Sequence, residues 1–199
     1  SETGDTALNA SFSEPSSHSP SNAASGNVPR GLMLLLSIAC GVIVANIYYA
    51  QPIAGPIGEA LGISIGATGL IVTLTQVGYG LGLLFIVPLG DLVETRRIVL
   101  GALAVNFAAL LAAALARHPT LFFAASLVIG VSSTSVQILV PYAAHLAPIA
   151  VRGRVVGQVM SGLLVGIMLS RPFASFLDDL FGWQAPFFAA AALMAAIAV

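Results

Sequence analysis

Lysine is absent from this 199-residue chain, and all of its basic charge sits on seven arginines. Charged residues of both signs make up only 8% of the sequence, against about 25% in a soluble domain. That shortage excludes an ordinary solvated surface, and a mean hydropathy of +0.99 points to lipid as the solvent. A formal net charge of −1 with no Lys/Arg run argues against a nucleic-acid partner. The single cysteine, Cys40, excludes an internal disulfide framework and a multi-cysteine metal set, so neither metal nor cofactor is expected. Catalytic equipment is missing too. There is no His-Glu-x-x-His helix, the turn at Met160-Ser161-Gly162 lacks its first glycine, and no His follows Ser161. The chain is therefore not expected to be an enzyme.

What is abundant is uninterrupted apolar sequence. A membrane-spanning helix needs about 20 mostly apolar residues, because a rise of ~1.5 Å per residue must cross ~30 Å of hydrocarbon. Six such blocks are read here: 31–50 with an extension past Pro52 toward Gly58, then 66–90, 98–116, 120–146, 155–177 and 184–199. Short polar punctuation separates them, including Arg117-His118-Pro119 and the pair Asp178-Asp179 ahead of Trp183. Residues 1–29 are different in kind, rich in Ser, Pro, Asn and Gly, and are expected to be a disordered tail. The six-helix bundle is assigned to residues 30–199. Its last block is still apolar at Val199, with no closing charge or aromatic anchor, and is expected to be cut at the edge of the sixth helix.

The arginines set the orientation. With the N-terminus inside, the cytoplasmic segments hold Arg30, Arg96, Arg97, Arg152 and Arg154, while the outer side holds Arg117. Five against one is a positive-inside bias. Arg171 lies within the fifth block. A charge there costs ~2.5–3.5 kcal/mol on insertion scales, so it is expected to face a cavity or a partner, or to snorkel outward toward Asp178.

Two further patterns stand out. Gly162, Gly166 and Ser170 recur at four-residue spacing on the fifth block, as do Ser126, Gly130 and Thr134 on the fourth. Small residues on one stripe let helix backbones approach closely. Asn46, Tyr49, Gln76, Gln137 and Tyr142 are polar residues inside the first, second and fourth blocks, and are expected to line a cavity for a neutral or moderately hydrophobic molecule. Each alone fits an interhelical hydrogen bond equally well. No Asp or Glu falls in the middle of a block, so the usual carboxylate carrier of a coupled proton is missing, and His145 is the imidazole nearest the membrane.

Four segments together resemble the major facilitator superfamily. Tyr48-Tyr49-Ala50-Gln51-Pro52 ends the first block as in members similar to bacterial drug:proton antiporters. The run from Pro88 to Arg97, with Gly90, Asp91, Arg96 and Arg97, resembles the signature loop between helices two and three. Arg152-Gly153-Arg154 resembles the basic link after helix four, and Gly162, Gly166, Ser170, Arg171 and Pro172 resemble the helix-five motif of antiporters. The sequence departs from the family pattern at Leu92 and Glu94 in the loop, at Ser126 where an arginine is common, and at Ser170-Arg171 ahead of Pro172.

The resemblance implies an all-α membrane protein, the six-helix half of a major facilitator fold, built as two three-helix units of opposite topology. It implies export of small, hydrophobic or neutral molecules by proton antiport across the bacterial inner membrane. Asp91 and the arginines after it would lock two helices in one conformation. The partners implied are a small-molecule substrate, the lipid bilayer and a second six-helix half. A fragment or subunit that transports nothing without that second half is the alternative. Reporter fusions test the orientation: reporters after Arg96 and Arg152 should read out as cytoplasmic, and an external reading at either site would overturn it.

Overall fold

A computed structural model describes residues 30–90 and 93–198, and every regular element within them is helical. In chain order these are α1 (Arg30–Ala45), α2 (Ala54–Leu61), α3 (Ile65–Leu89), α4 (Thr95–Ala114), α5 (Pro119–Ser133), α6 (Val136–Leu146), a 3-10 turn at Ile149–Val151, α7 (Arg152–Phe181) and α8 (Ala185–Ala198). The tail read at 1–29, and Asp91 and Leu92 of the signature loop, lie outside the described residues.

Four helical stretches are long and apolar enough to cross a membrane: Ile65–Leu89, Thr95–Ala114, Pro119–Leu146 and Ile149–Phe181. Gly31–Ala45 and Ala185–Ala198 are apolar but shorter. The first block is thus not one helix to residue 50. Regular helix stops at Ala45, and turns run from Asn46 to Ile53 before α2 begins. Proline explains why helix cannot simply resume there: neither Pro52 nor Pro56 has an N–H to continue an i→i−4 ladder. Gly62, in the left-handed region at φ 67°, closes α2 by donating its N–H to the carbonyls of Glu59 and Gly58.

The fourth block also breaks, at Thr134 and Ser135 between α5 and α6. Ser132, Ser133 and Thr134 each donate a hydroxyl to a carbonyl one turn back, at Val128, Ile129 and Val131. Such back-bonding bends helices. Pro141 falls inside α6, not at the break.

Two seams organise the bundle. α1 runs along α7, and α3 runs along α5, while α4 lies against α5 and α8. Both seams depend on the absence of side chains. A methyl group on Gly41 would lie 2.6 Å from the carbonyl oxygen of Gly162, and Gly166 faces the backbone of Gly41 directly. On the other seam Gly130 meets the carbonyl of Thr75 and Gly78 meets that of Leu127. These are backbone-to-backbone contacts that only glycine permits. At one end of the bundle, Phe122, Trp183 and Phe187 pack edge to face, with centroids 5.6–6.4 Å apart, tying the start of α5 to α8.

Burial differs sharply along the chain. The α5–α6 stretch is 67% buried across its most apolar window, whereas Ile149–Phe181 is only 17% buried. α5–α6 is therefore central, and α7 presents most of its surface outward. Adding a methyl at Gly130 should cost about 1–3 kcal/mol of stability through overpacking. Unfolding of Gly130→Ala in mixed micelles should show that loss, while Gly69→Ala, whose site is open, should show none.

Candidate functional site

The five residues expected to line one cavity separate into three places. Asn46, at the first position of the broken turn, points into the protein. It donates from Nδ2 to Asn106 Oδ1 of α4 at 2.8 Å. Asn106 Nδ2 in turn donates to Ser132 Oγ at 2.8 Å and Ser133 Oγ at 3.0 Å. All four residues are buried. This cluster sits where both broken spans lose regular helix, and it joins them through α4. Its role is to satisfy polar groups in an apolar interior. Among the described residues Asn46 Oδ1 has no partner, so the cluster is one donor short.

Gln76, Gln137 and Tyr142 lie on exposed surfaces of α3 and α6. Gln137 Nε2 donates to the hydroxyl of Tyr79 at 2.7 Å, linking those helices. Among the described residues no side-chain hydrogen bond joins this group to the Asn46 cluster.

Tyr49 alone lines a cavity. This groove, about 510 Å³, runs between α1 and α7 and touches α8 at Leu193. Its walls are mainly aliphatic, with Leu34, Ile38, Val42, Val165 and Leu169 among them, and its polar lining is limited to Ser37, Gln158, Ser161, Ser170 and the Tyr49 hydroxyl. The floor is the glycine seam itself: Gly41, Gly162 and Gly166 line it, and their missing side chains leave the space. The rings of Tyr49 and Phe173 close one end, with centroids 5.9 Å apart.

The helix-five motif is drawn together here. Gly162 and Gly166 form the floor, Ser170 is buried in the lining, and Pro172 continues α7 without breaking it. Arg171 is exposed, and its Nη2 donates to Gln51 Oε1 at 2.8 Å. The snorkelling contact to Asp178 is not made: among the described residues the one ion pair is Arg97 Nε to Glu94 Oε2, at 3.1 Å.

That pair is what the described part of the signature loop shows. Arg96 and Arg97 are exposed at the start of α4, and Glu94 takes up Arg97 across one turn. An exposed pair of this kind contributes little. The expected partner, Asp91, lies outside the described residues. Gly90 sits close to α6, where a methyl group added to it would lie 3.3 Å from Ile138 Cδ1. In the basic link, Arg152 Nε donates to the carbonyl of Ala144 at 3.0 Å, capping the end of α6. Gly153 and Arg154 are exposed, and space around Gly153 is open.

The sequence profile of the Major Facilitator Superfamily matches residues 34–199. This chain belongs to the major facilitator superfamily. The putative uncharacterized transporter YgaY of Escherichia coli (strain K12) is 43% identical over 168 residues, covering 84% of this chain and 43% of that protein. The probable transporter SCO4007 of Streptomyces coelicolor is 36% identical over 184 residues, covering 92% of this chain and 42% of that protein. The chain thus spans less than half the length of these curated relatives.

Asn106, Gln51 and Phe173 are site residues that sequence alone does not single out. Asn106 had a signal, as the one amide inside an otherwise apolar block. Replacing it with Ala should cost about 1–3 kcal/mol, because buried donors lose their acceptor. The double change Asn46→Leu with Asn106→Leu should cost less than Asn106→Ala alone. Unfolding of the three proteins in micelles checks both statements.

Proposed function

We propose that this chain is the six-span, N-terminal half of a secondary transporter of the bacterial inner membrane, with its N-terminus in the cytoplasm. The whole protein exports small, hydrophobic or neutral molecules in exchange for protons. The groove carries this reading. It is an aliphatic space of about 510 Å³ on a helix that keeps most of its surface outward, with only a few hydroxyls and one amide in its lining. Such a lining suits an uncharged or weakly polar body rather than a phosphate or a dicarboxylate.

A two-fold repeat of three helices is supported by the seams. The same interval separates Gly78 from Gly162, Gly82 from Gly166 and Pro88 from Pro172. A second common interval separates Ser37 from Ser126 and Gly41 from Gly130. Exchanging the two units turns the α1–α7 seam into the α5–α3 seam, and both broken spans correspond.

The chain covers 43% of one relative and 42% of another, which favours a machine completed by a second six-helix half. Among the described residues no carboxylate lies in the middle of a span. The proton carrier is therefore assigned to that other half, and Asp91 to the lock between the second and third spans. The test is export by the full-length parent in proteoliposomes with an imposed pH gradient. Export should need the gradient, and Asp91→Asn should slow it without loss of inserted protein. Gradient-independent export would remove the antiport reading, and an unaffected Asp91→Asn would remove the lock.

A further inference from the structure

Two elements far apart in sequence are cross-linked twice at one end of the groove. The turn after α1 supplies Tyr49 and Gln51, and α7 supplies Phe173 and Arg171. The rings of Tyr49 and Phe173 pack together at 5.9 Å. Two residues further along both elements' contact line, Gln51 Oε1 accepts from Arg171 Nη2 at 2.8 Å. The aliphatic walls thus end in an aromatic pair and then in a guanidinium.

That guanidinium is incompletely used. It has five N–H donors, and one bond to a neutral amide leaves the rest of its fork open. It is exposed, and among the described residues it forms no ion pair. Gln51 is well suited to holding it. A neutral acceptor fixes the side chain's direction without cancelling its charge, which a carboxylate at the same place would do. The bond also spares Arg171 from reaching for Asp178, which would turn it away from the groove. An open guanidinium edge matches a carboxylate in a planar, bidentate way.

We propose that the groove takes an amphiphilic organic acid, its apolar body lying along α1 and α7 and its carboxylate on Arg171, with Gln51 as the residue that positions Arg171. This deepens the transport reading by naming the substrate class as a hydrophobic molecule with one acidic group, and it rests on that reading only for the claim that the acid is carried.

Binding and flux separate the two. The probes are radiolabelled decanoate and 1-decanol, which share an aliphatic body, offered at pH 8 to the full-length parent in nanodiscs of zwitterionic lipid, with empty discs subtracted. Decanoate should bind about tenfold more tightly than decanol, as a charge-assisted contact requires. Arg171→Gln should bring the two within about twofold of one another by weakening decanoate alone. Arg171→Lys should keep part of the preference. Gln51→Glu should reduce decanoate binding and leave decanol unchanged, because the new carboxylate occupies the guanidinium. A protein that had merely lost its fold would lose both probes together.

Equal binding of acid and alcohol by the wild type would overturn the proposal, as would a preference that survives Arg171→Gln. Loss of decanoate binding when the discs contain phosphatidylglycerol would also overturn it, by showing that a lipid headgroup is the occupant. So would an Arg171→Gln protein that binds both probes normally but unfolds more readily, because Arg171 would then be a contact to the remainder of the protein. Arg171-dependent binding without flux into proteoliposomes would keep the site and remove the transport reading. Flux of decanol with no acid preference would do the reverse.

Discussion

Helices in lipid gain nothing from burying leucine against leucine, since the acyl chains are as apolar as the side chains. Association has to come from close packing, and here the closest packing is backbone against backbone. Gly41 against Gly162 and Gly166, and Gly130 and Gly78 against α3 and α5, leave no room for a single methyl group. Almost everything else about the chain follows from those contacts. They set the rotation of α1 and α7 about their axes, and so decide which side chains enter the protein and which face outward. They also create the groove, because a strip of glycine between two walls of leucine, isoleucine and valine is a trough.

The second constraint is that no backbone polar group can be left to hydrocarbon. Both central spans lose regular helix, at Asn46–Ile53 and at Thr134–Ser135. The polar side chains nearby are spent on repairing that loss. Serine and threonine hydroxyls return to carbonyls of α5, and Asn46 and Asn106 bridge the two breaks. The amides that sequence alone assigns to a substrate are thereby divided. Asn46 is consumed in structure, Gln137 is held by Tyr79, and the groove is left with an apolar body and a cationic end. Its chemistry is simple enough to name a ligand class.

The blocks themselves were legible, because length and apolarity are properties of single segments. α3, α4 and the α5–α6 stretch fall within a few residues of the expected spans, and α7 is longer at both ends. The closeness of the helix-four and helix-five small-residue stripes to neighbouring helices was legible for the same reason. Arg171 could be singled out because a charge in an apolar block is conspicuous, but its partner could not be found. Gln51 lies 120 positions away, and nothing local distinguishes it from Asp178 as a target. The side on which Asn46 falls was hidden too. It depends on the helix ending at Ala45 and on the rotation that the Gly41 contact imposes, and both are consequences of long-range packing. A five-residue cavity drawn from polarity alone therefore merged a buried cluster, an exposed pair and a groove.

The α1–α7 seam underlies the groove, the aromatic pair and the Gln51–Arg171 bond, so its presence in a bilayer is the claim on which the account rests most heavily. Ser37 Oγ lies 3.3 Å from the carbonyl oxygen of Gln158 across that seam. Disulfide trapping of Ser37→Cys with Gln158→Cys, in the full-length parent with Cys40 replaced by Ala and assayed in native membranes, reads the contact directly. The account predicts rapid cross-linking under mild oxidation. Two cysteines that each react with a thiol probe but never with one another would contradict it.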